Sequence, residues 1–320
     1  MKDIGGYFEL ETGKVGFEYH PTPYRLKSGR SALHLILNSI KPNLVYVPYY
    51  TCDSLLEPFN VCGCNYRFYN FNEQLEPASL PELVDGEYFL YINYFGLKDA
   101  FTEALSKKYK DKLIVDATQA FFMKGNRVSW LFNSCRKFFG VPDGAYVYPP
   151  SGLTLPLQQQ RNEQYITSHL TKRLSGQTKE GYTDFQTNEE MMNCDIIGMS
   201  EFTKQILSEV DNSFVMSRRL ANYNLLNNKL QHLNKLDLPE PAGMTPMMYP
   251  FLPDYKISKE TLALNHIFIP TFWQEVLSRT QTGYDFEKSL AANLLPLPID
   301  HRYTTEDMEL LVSLVTKMQE

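Results

Sequence analysis

Lys137 stands in the run Asn133-Ser134-Cys135-Arg136-Lys137-Phe138-Phe139-Gly140, between an apolar stretch ending near Phe132 and the turn Pro142-Asp143-Gly144-Ala145. Upstream, Leu113-Ile114-Val115 ends in Asp116, which leads into Ala117-Thr118-Gln119-Ala120. An amine set among aromatic side chains loses proton affinity, because an apolar setting disfavours the charged form, and a neutral amine attacks aldehydes. A carboxylate closing an apolar strand is costly to bury without a cationic or hydrogen-bonding partner. A protonated pyridine nitrogen is such a partner. An amine that condenses with an aldehyde, and an acid that keeps a pyridine ring protonated, are together what pyridoxal phosphate chemistry requires.

Two further segments belong to the same chemistry. Ser28-Gly29-Arg30-Ser31 opens an apolar helical pattern, and free N–H groups with a hydroxyl at a helix start form a phosphate cradle. Pro48-Tyr49-Tyr50-Thr51-Cys52 comes directly after a strand and supplies aromatic faces for a flat ring. Each segment has an ordinary reading as well. Gly29 can be a turn before a capped helix, the tyrosines core, Asp116 a helix N-cap, and Lys137 a surface lysine. Their order along the chain favours the shared site: phosphate turn, aromatics, acid, then lysine and a glycine turn.

Periodicity places the scaffold around these residues. Helical patterns cover Ser31 to Ile40, Thr51 to Phe59 with Thr51 or Asp53 near its cap, and Asp99 to Tyr109 with Asp99 as N-cap. Strand patterns cover Leu44 to Val47, Tyr66 to Tyr69, Tyr88 to Ile92, Lys112 to Val115, Trp130 to Phe132 and Ala145 to Tyr148. Strands separated by helices predict a mostly parallel α/β sheet with right-handed crossovers, and ligands of such sheets bind at the carboxyl edge. Residues 151–195 are polar and read as a surface or interface insert, and 196–230 as one or two long linking helices. The large domain is therefore placed at 1–235. The proline-rich stretch from Leu236 to Pro253 reads as a crossing into a smaller C-terminal α/β domain, 236–320. In it, helices are expected at Ile257 to Leu264 and Tyr284 to Ala292, and strands at Ile267 to Ile269 and Leu295 to Pro298. A final helix runs to Met318, capped by Thr304 or Thr305.

Composition is that of an ordinary globular protein. The 320 residues are 43% hydrophobic and carry a net charge of −6, which argues against nonspecific nucleic-acid binding. No run of apolar residues reaches membrane-spanning length, and the N-terminus lacks a signal-peptide core, so a cytoplasmic protein with no membrane partner is expected. Five cysteines in a chain of this size read as reduced thiols. Cys62-Gly63-Cys64 has no second pair at zinc spacing and is read as a strand or turn, so no metal is assigned.

The order of motifs resembles the DegT/DnrJ/EryC1/StrS family of pyridoxal-phosphate-dependent sugar aminotransferases over most of the chain. Ser28 to Leu33 is similar to that family's phosphate segment before a helix, and Val47 to Thr51 to its segment beside the cofactor ring. Ile92-Asn93-Tyr94-Phe95-Gly96 sits where the family has a Val-His-x-x-Gly stretch. Asp116 to Ala120 resembles its Asp-Ala-Ala-Gln/His motif, Ser134 to Lys137 with Asp143-Gly144-Ala145 its lysine loop, and Leu295 to Asp307 its closing segment. The resemblance implies the fold-type-I transferase fold and a homodimer with shared active sites. It implies that Lys137 binds the cofactor and shuttles the proton, with Asp116 on the pyridine nitrogen and Gln119 near the ring hydroxyl. Gly29, Arg30, Ser31 and Ser134 would hold the phosphate, and Tyr50 or Tyr94 the ring face. The implied substrates are an amino donor, glutamate by resemblance, and a keto group on a nucleotide-linked sugar.

This chain also departs from the pattern. Arg30 occupies a threonine position, Cys52 stands near a large aromatic, and Gly198-Met199-Ser200-Glu201-Phe202 replaces a Gly-x-Asn-x-Arg segment that reaches the neighbouring subunit, with Ser200 as a substitute. The competing readings are a pyridoxal phosphate enzyme for a non-sugar keto compound and a non-catalytic relative with a binding role. A plain nucleotide-binding protein is disfavoured, since neither Gly-x-Gly-x-x-Gly nor a Walker lysine is present.

Overall fold

Four short apolar runs and one alternating run at the edge become the parallel part of one sheet. In the computed structural model, which describes residues 16–158 and 160–318, these are β2 (Leu44–Pro48), β3 (Asn65–Tyr69), β4 (Glu87–Ile92), β5 (Leu113–Asp116) and β6 (Trp130–Phe132). Together with β1 (Arg25–Leu26) and β7 (Ala145–Tyr148) they form a seven-stranded sheet in the order β1-β7-β6-β5-β4-β2-β3. The contacts from β3 through β6 are parallel; β7 runs antiparallel to both of its neighbours. Parallel strands need crossovers, and helices α1 (Gly29–Ile40), α2 (Asp53–Cys62) and α3 (Asp99–Tyr109) cover the sheet. The fold class read from the sequence is thus the observed one.

Local chemistry explains the ends of α1. The Ser31 N–H donates to Ser28 Oγ at 3.1 Å, an N-cap, and Lys41 turns left-handed (φ 45) immediately before Pro42. Its buried face is Ala32, Leu33, Leu35, Ile36 and Leu37, at helical spacing. Cys52, between Thr51 and Asp53, is the cap residue of α2. One expected cap is corrected: Lys98, not Asp99, caps α3. Asp99 is one residue inside, where it accepts from Asn93 Nδ2 at 2.6 Å and sits favourably at the helix's positive end.

The polar region forms α4 (Ser168–Leu174) and α5 (Thr178–Glu190), and the linking helices are α6 (Glu201–Glu209) and α7 (Asn212–Leu230). Beyond them, β8 (Met248–Phe251) and β9 (Leu295–Pro298) pair antiparallel, among α8 (Lys259–Leu264), α9 (Gln274–Ser278), α10 (Asp285–Asn293) and α11 (Thr305–Lys317). The expected strand at Ile267–Ile269 is absent: these residues come after α8 as an extended loop whose half-buried isoleucines pack on the core without a ladder partner. In its place the proline-rich stretch contributes β8. Pro250 lies opposite Pro296, which a two-stranded ladder tolerates because each strand is an edge.

Thr304 caps α11 through a full capping box. Thr304 N–H donates to Asp307 Oδ2 at 2.8 Å, and Asp307 N–H to Thr304 Oγ1 at 3.4 Å. Thr304→Ala is expected to cost about 1 kcal/mol of stability by urea titration, while Thr304→Ser stays close to wild type.

Candidate functional site

The site forms where the carboxyl ends of β5 and β6 meet the amino end of α1. A methyl group on Gly29 would lie 3.4 Å from Thr118 Cγ2 and 3.7 Å from the Asn133 carbonyl oxygen, so the helix start abuts both strand ends. Ser28 Oγ occupies the N–H of Ser31 and lies 3.0 Å from its hydroxyl. The N–H groups of Gly29 and Arg30 have no acceptor among the described residues, the ordinary state of a helix start and a ready anion site.

Asp116 closes β5 and is 3% exposed. Its Oδ1 accepts the Thr118 N–H at 2.8 Å, and no cation lies within ion-pair distance among the described residues. Burial raises its carboxyl to about 6, against the pull of the Thr118 contacts and of Lys137. Lys137 ends a single turn of 3-10 helix, Cys135–Lys137, and is exposed, whereas Cys135, Phe138 and Phe139 beside it are buried. Desolvation is nonetheless the largest influence on its amine and holds it below the ordinary lysine range, helped by Arg136 and Arg30 and opposed by Cys52 and Asp116. An exposed side chain under strong desolvation stands in a recess walled by protein, not on a convex surface. Asp116, Cys52, Arg30 and Arg136 are the charged or titratable groups around it.

The loop that carries Lys137 is fixed at its base. Cys135 N–H donates to the Gly144 carbonyl at 2.9 Å, and Gly144 N–H to that of Lys27 at 2.7 Å. Gly144 has φ 115, and a Cβ there would meet Cys135 Sγ at 2.9 Å, so only glycine fits. Asp143 is fully buried and accepts from Asn162 Nδ2 (2.9 Å), from the Ser200 N–H (2.9 Å) and hydroxyl (2.7 Å), and from Thr203 Oγ1. From the other side, Arg219 of α7 lies with its guanidinium 4.5 Å over the Phe138 ring and donates to the carbonyls of Phe138 (3.4 Å) and Met247 (2.9 Å).

Ser134, 9% exposed, stands at the cap of the lysine turn, and its hydroxyl makes no side-chain cap bond. Gln119 is buried, and its Oε1 accepts the Phe95 N–H at 2.7 Å. Arg30 directs its guanidinium away from the helix start: it donates to the Met192 carbonyl and to Ser54 Oγ (2.6 Å), and its Nε lies 3.2 Å from Glu57 Oε2. What Arg30 offers an anion is its backbone N–H. Arg136 pairs with Glu189. Tyr50 and Tyr94 have no exposed surface. They stack at 5.8 Å and 25°, Tyr94 Oη donates to the Tyr50 carbonyl at 2.6 Å, and Trp273 packs against Tyr50 at 5.0 Å. Ser200 is spent within the chain, on Asp143 and as the N-cap of α6.

Arg219 and Arg279 were missed by sequence reasoning. Arg279 donates to the carbonyls of Tyr49 (2.5 Å) and Thr51 (3.0 Å) and to Asp53 Oδ1 (2.6 Å), bracketing the segment that holds Tyr50 and Cys52. Neither arginine has a local signal, because every partner is distant in sequence. Two buried polar atoms of the bracketed segment, Tyr50 Oη and Thr51 Oγ1, have no hydrogen-bond partner among the described residues, a state that a bound polar group would relieve.

Asp116 generates a pH prediction for the cofactor-free protein. Its folded value lies above the unfolded one, so the ionised form is disfavoured by folding; the penalty is absent below about pH 4 and grows until pH passes about 6. Asp116→Asn should therefore be more stable than wild type by about 3 kcal/mol at pH 8, with the gap closing at pH 4, in urea melts of cofactor-free protein. A gap that is equal at both pH values would show that Asp116 is not strained by burial.

No protein-family model and no curated protein matches the chain. Solved structures do match. A DegT DnrJ EryC1 StrS aminotransferase from Brucella abortus aligns at 16% identity and a TM-score of 0.59, covering 92% of this chain and 85% of that one. The sugar aminotransferase CalS13 from Micromonospora echinospora aligns at 12% identity and 0.62, covering 92% and 86%. NtdA from Bacillus subtilis, solved with its cofactor PMP bound, aligns at 14% and 0.63, covering 93% and 73%. At these identities the likeness speaks for architecture, and this chain has the fold of the DegT/DnrJ/EryC1/StrS sugar aminotransferases.

Proposed function

We propose that this protein is a pyridoxal-phosphate-dependent aminotransferase that moves an amino group from glutamate to a keto group of a nucleotide-linked sugar. The observation that carries the reading is the pairing in one recess, on this fold, of an exposed, desolvated lysine with a buried carboxyl that lacks an ion-pair partner among the described residues. The residues fit the cofactor: the free N–H groups of Gly29 and Arg30 and the hydroxyl of Ser134 suit its phosphate, Asp116 suits a pyridinium N–H, and Lys137 suits its aldehyde. When bound, pyridoxal phosphate supplies an aldehyde that takes the donor's amine and a ring that draws electrons from the substrate carbon.

Each residue has a definable task. Asp116, held by Thr118 at the end of β5, would keep a bound ring nitrogen protonated. Desolvation lowers the proton affinity of Lys137, which suits its Nζ to taking a proton from the substrate carbon and returning it. Arg136 and Arg30 lower that proton affinity further while their own charges are engaged by Glu189 and Glu57. The Asp143 network and Arg219 hold the loop so that the amine does not wander, and positional precision of this kind is worth orders of magnitude in rate. Cys52 stands on the recess wall, and burial raises its thiol, so it remains a neutral packing group. The sugar specificity is taken from the names of the structural neighbours, and the glutamate donor, the nucleotide link and two chains sharing their sites from the motif resemblance alone.

The test is chemical and direct. The purified protein should be yellow, borohydride should fix the cofactor's mass onto the peptide containing Lys137, and Lys137→Ala should lose transamination by about a thousandfold or more while its melting temperature stays near wild type. A Lys137→Ala protein with full turnover, or a borohydride adduct on a different lysine, would remove the assignment.

A further inference from the structure

Between α5, the loop after α8 and α11 lies a cleft of about 1130 Å³. None of the residues assigned to the cofactor site lines it. Its walls are apolar: Tyr182 and Phe185 of α5, Ile267 and Phe268 of the loop, and Leu310 and Leu311 of α11. The floor includes Met248 and Pro298, which face each other across the β8–β9 ladder. Several of these side chains are open to solvent, among them Tyr182 (59% exposed), Leu310 (53%) and Phe268 (48%). Ile267–Ile269 read as a strand in the sequence; in the fold this apolar run forms wall.

The charges at the cleft are unequal in a telling way. Each acid has a local use. Asp300 is held by Arg302 at 2.7 and 2.9 Å, Asp307 closes the cap of α11, and Glu260 accepts from Ser258 Oγ at 3.0 Å. Besides the exposed Lys179, two lining cations have only neutral oxygens. Lys259 Nζ donates to Thr271 Oγ1 (2.7 Å) and the Pro270 carbonyl (3.3 Å), and Arg173 Nη1 to Thr178 Oγ1 (2.5 Å). Among the described residues, neither has a carboxylate within ion-pair distance. Burial also pushes the Lys259 amine below the ordinary lysine range, with Glu260 opposing. Lys259 is half-buried and Arg173 exposed; a half-buried cation without a counter-ion in ion-pair distance and an open apolar wall are both unfavourable alone. One molecule with an apolar body and an anionic head relieves both, and a mostly apolar cavity with a few polar groups is the common form of a small-molecule site.

We propose that this cleft is a second ligand site, for a medium-chain amphipathic carboxylate whose tail covers Phe268 and Leu310 and whose head meets Lys259 and Arg173. The site is independent of the cofactor recess, and its test does not use turnover. The full chain, with cofactor as purified, is titrated calorimetrically with decanoate below its micelle concentration, and with decanol as the uncharged analogue. Decanoate should bind one per chain, at least about tenfold more tightly than decanol. Lys259→Gln combined with Arg173→Gln should weaken decanoate by about tenfold or more, leave decanol unchanged and leave the melting temperature near wild type. Phe268→Ser should weaken both ligands. The proposal is overturned if decanol matches decanoate, if the double variant binds decanoate as wild type does, or if many molecules bind per chain. It is equally overturned if sedimentation shows Phe268→Ser splitting a dimer into monomers, since a second copy of the chain would then be what covers the cleft.

Discussion

A buried carboxylate held by neutral donors organises the chemistry of this chain. Asp143 is fully buried and accepts hydrogen bonds from Asn162, Ser200 and Thr203. Hydrogen bonds to a charged group are each worth about 1.5–3 kcal/mol, so the loss of a single donor leaves a costly charge behind. The same residue lies at the amino end of α6, where the helix's positive pole favours an anion. Through Asp143 the loop bearing Lys137 is tied to α6, through Gly144 to the strand before α1, and through the Phe138 carbonyl to Arg219 on α7. The position of one amine is set by three elements converging on its loop.

Much of this was legible in the sequence, and the legible part has a common cause. A parallel strand buried on both faces is a short apolar run, and the residues just after it are delivered to the carboxyl edge of the sheet. Local pattern alone therefore locates β2, β4, β5 and the segments they lead into. Asp116 and Lys137 share a recess because two neighbouring strands, β5 and β6, lead into them. The N-cap of α1 and the capping box of α11 are likewise local. The illegible part depends on distant partners. Arg30 reads as a phosphate ligand at a helix start, yet its guanidinium is drawn off to α2 and to the Met192 carbonyl. Ser200 reads as a candidate for reaching another subunit, yet its hydroxyl is taken by Asp143 in the same chain. β8 was hidden by prolines that are harmless only because its ladder has two strands, and Ile267–Ile269 had a strand's composition without a strand to pair with.

The aromatic residues show the same division between local and distant causes. Tyr50 and Tyr94 were singled out for their flat faces. They are packed against each other and Trp273, with Phe71 edge-on to Tyr94 at 5.1 Å. Edge-to-face and offset pairs of this kind add about 0.5–1.5 kcal/mol each beyond the area they bury.

The clamp of Arg279 on the carbonyls of Tyr49 and Thr51 joins residues 230 and 228 positions apart, and the Tyr49–Tyr284 stack at 3.8 Å and 4° reinforces it. Synthesis is vectorial, so a nascent chain can complete β2 long before the arginine that braces its exit has left the ribosome. During that interval the end of β2 lacks the three tethers that Arg279 supplies, and the aromatic run beside it is uncovered by Trp273. The end of β2 can therefore acquire its full bracing only once Arg279 has emerged.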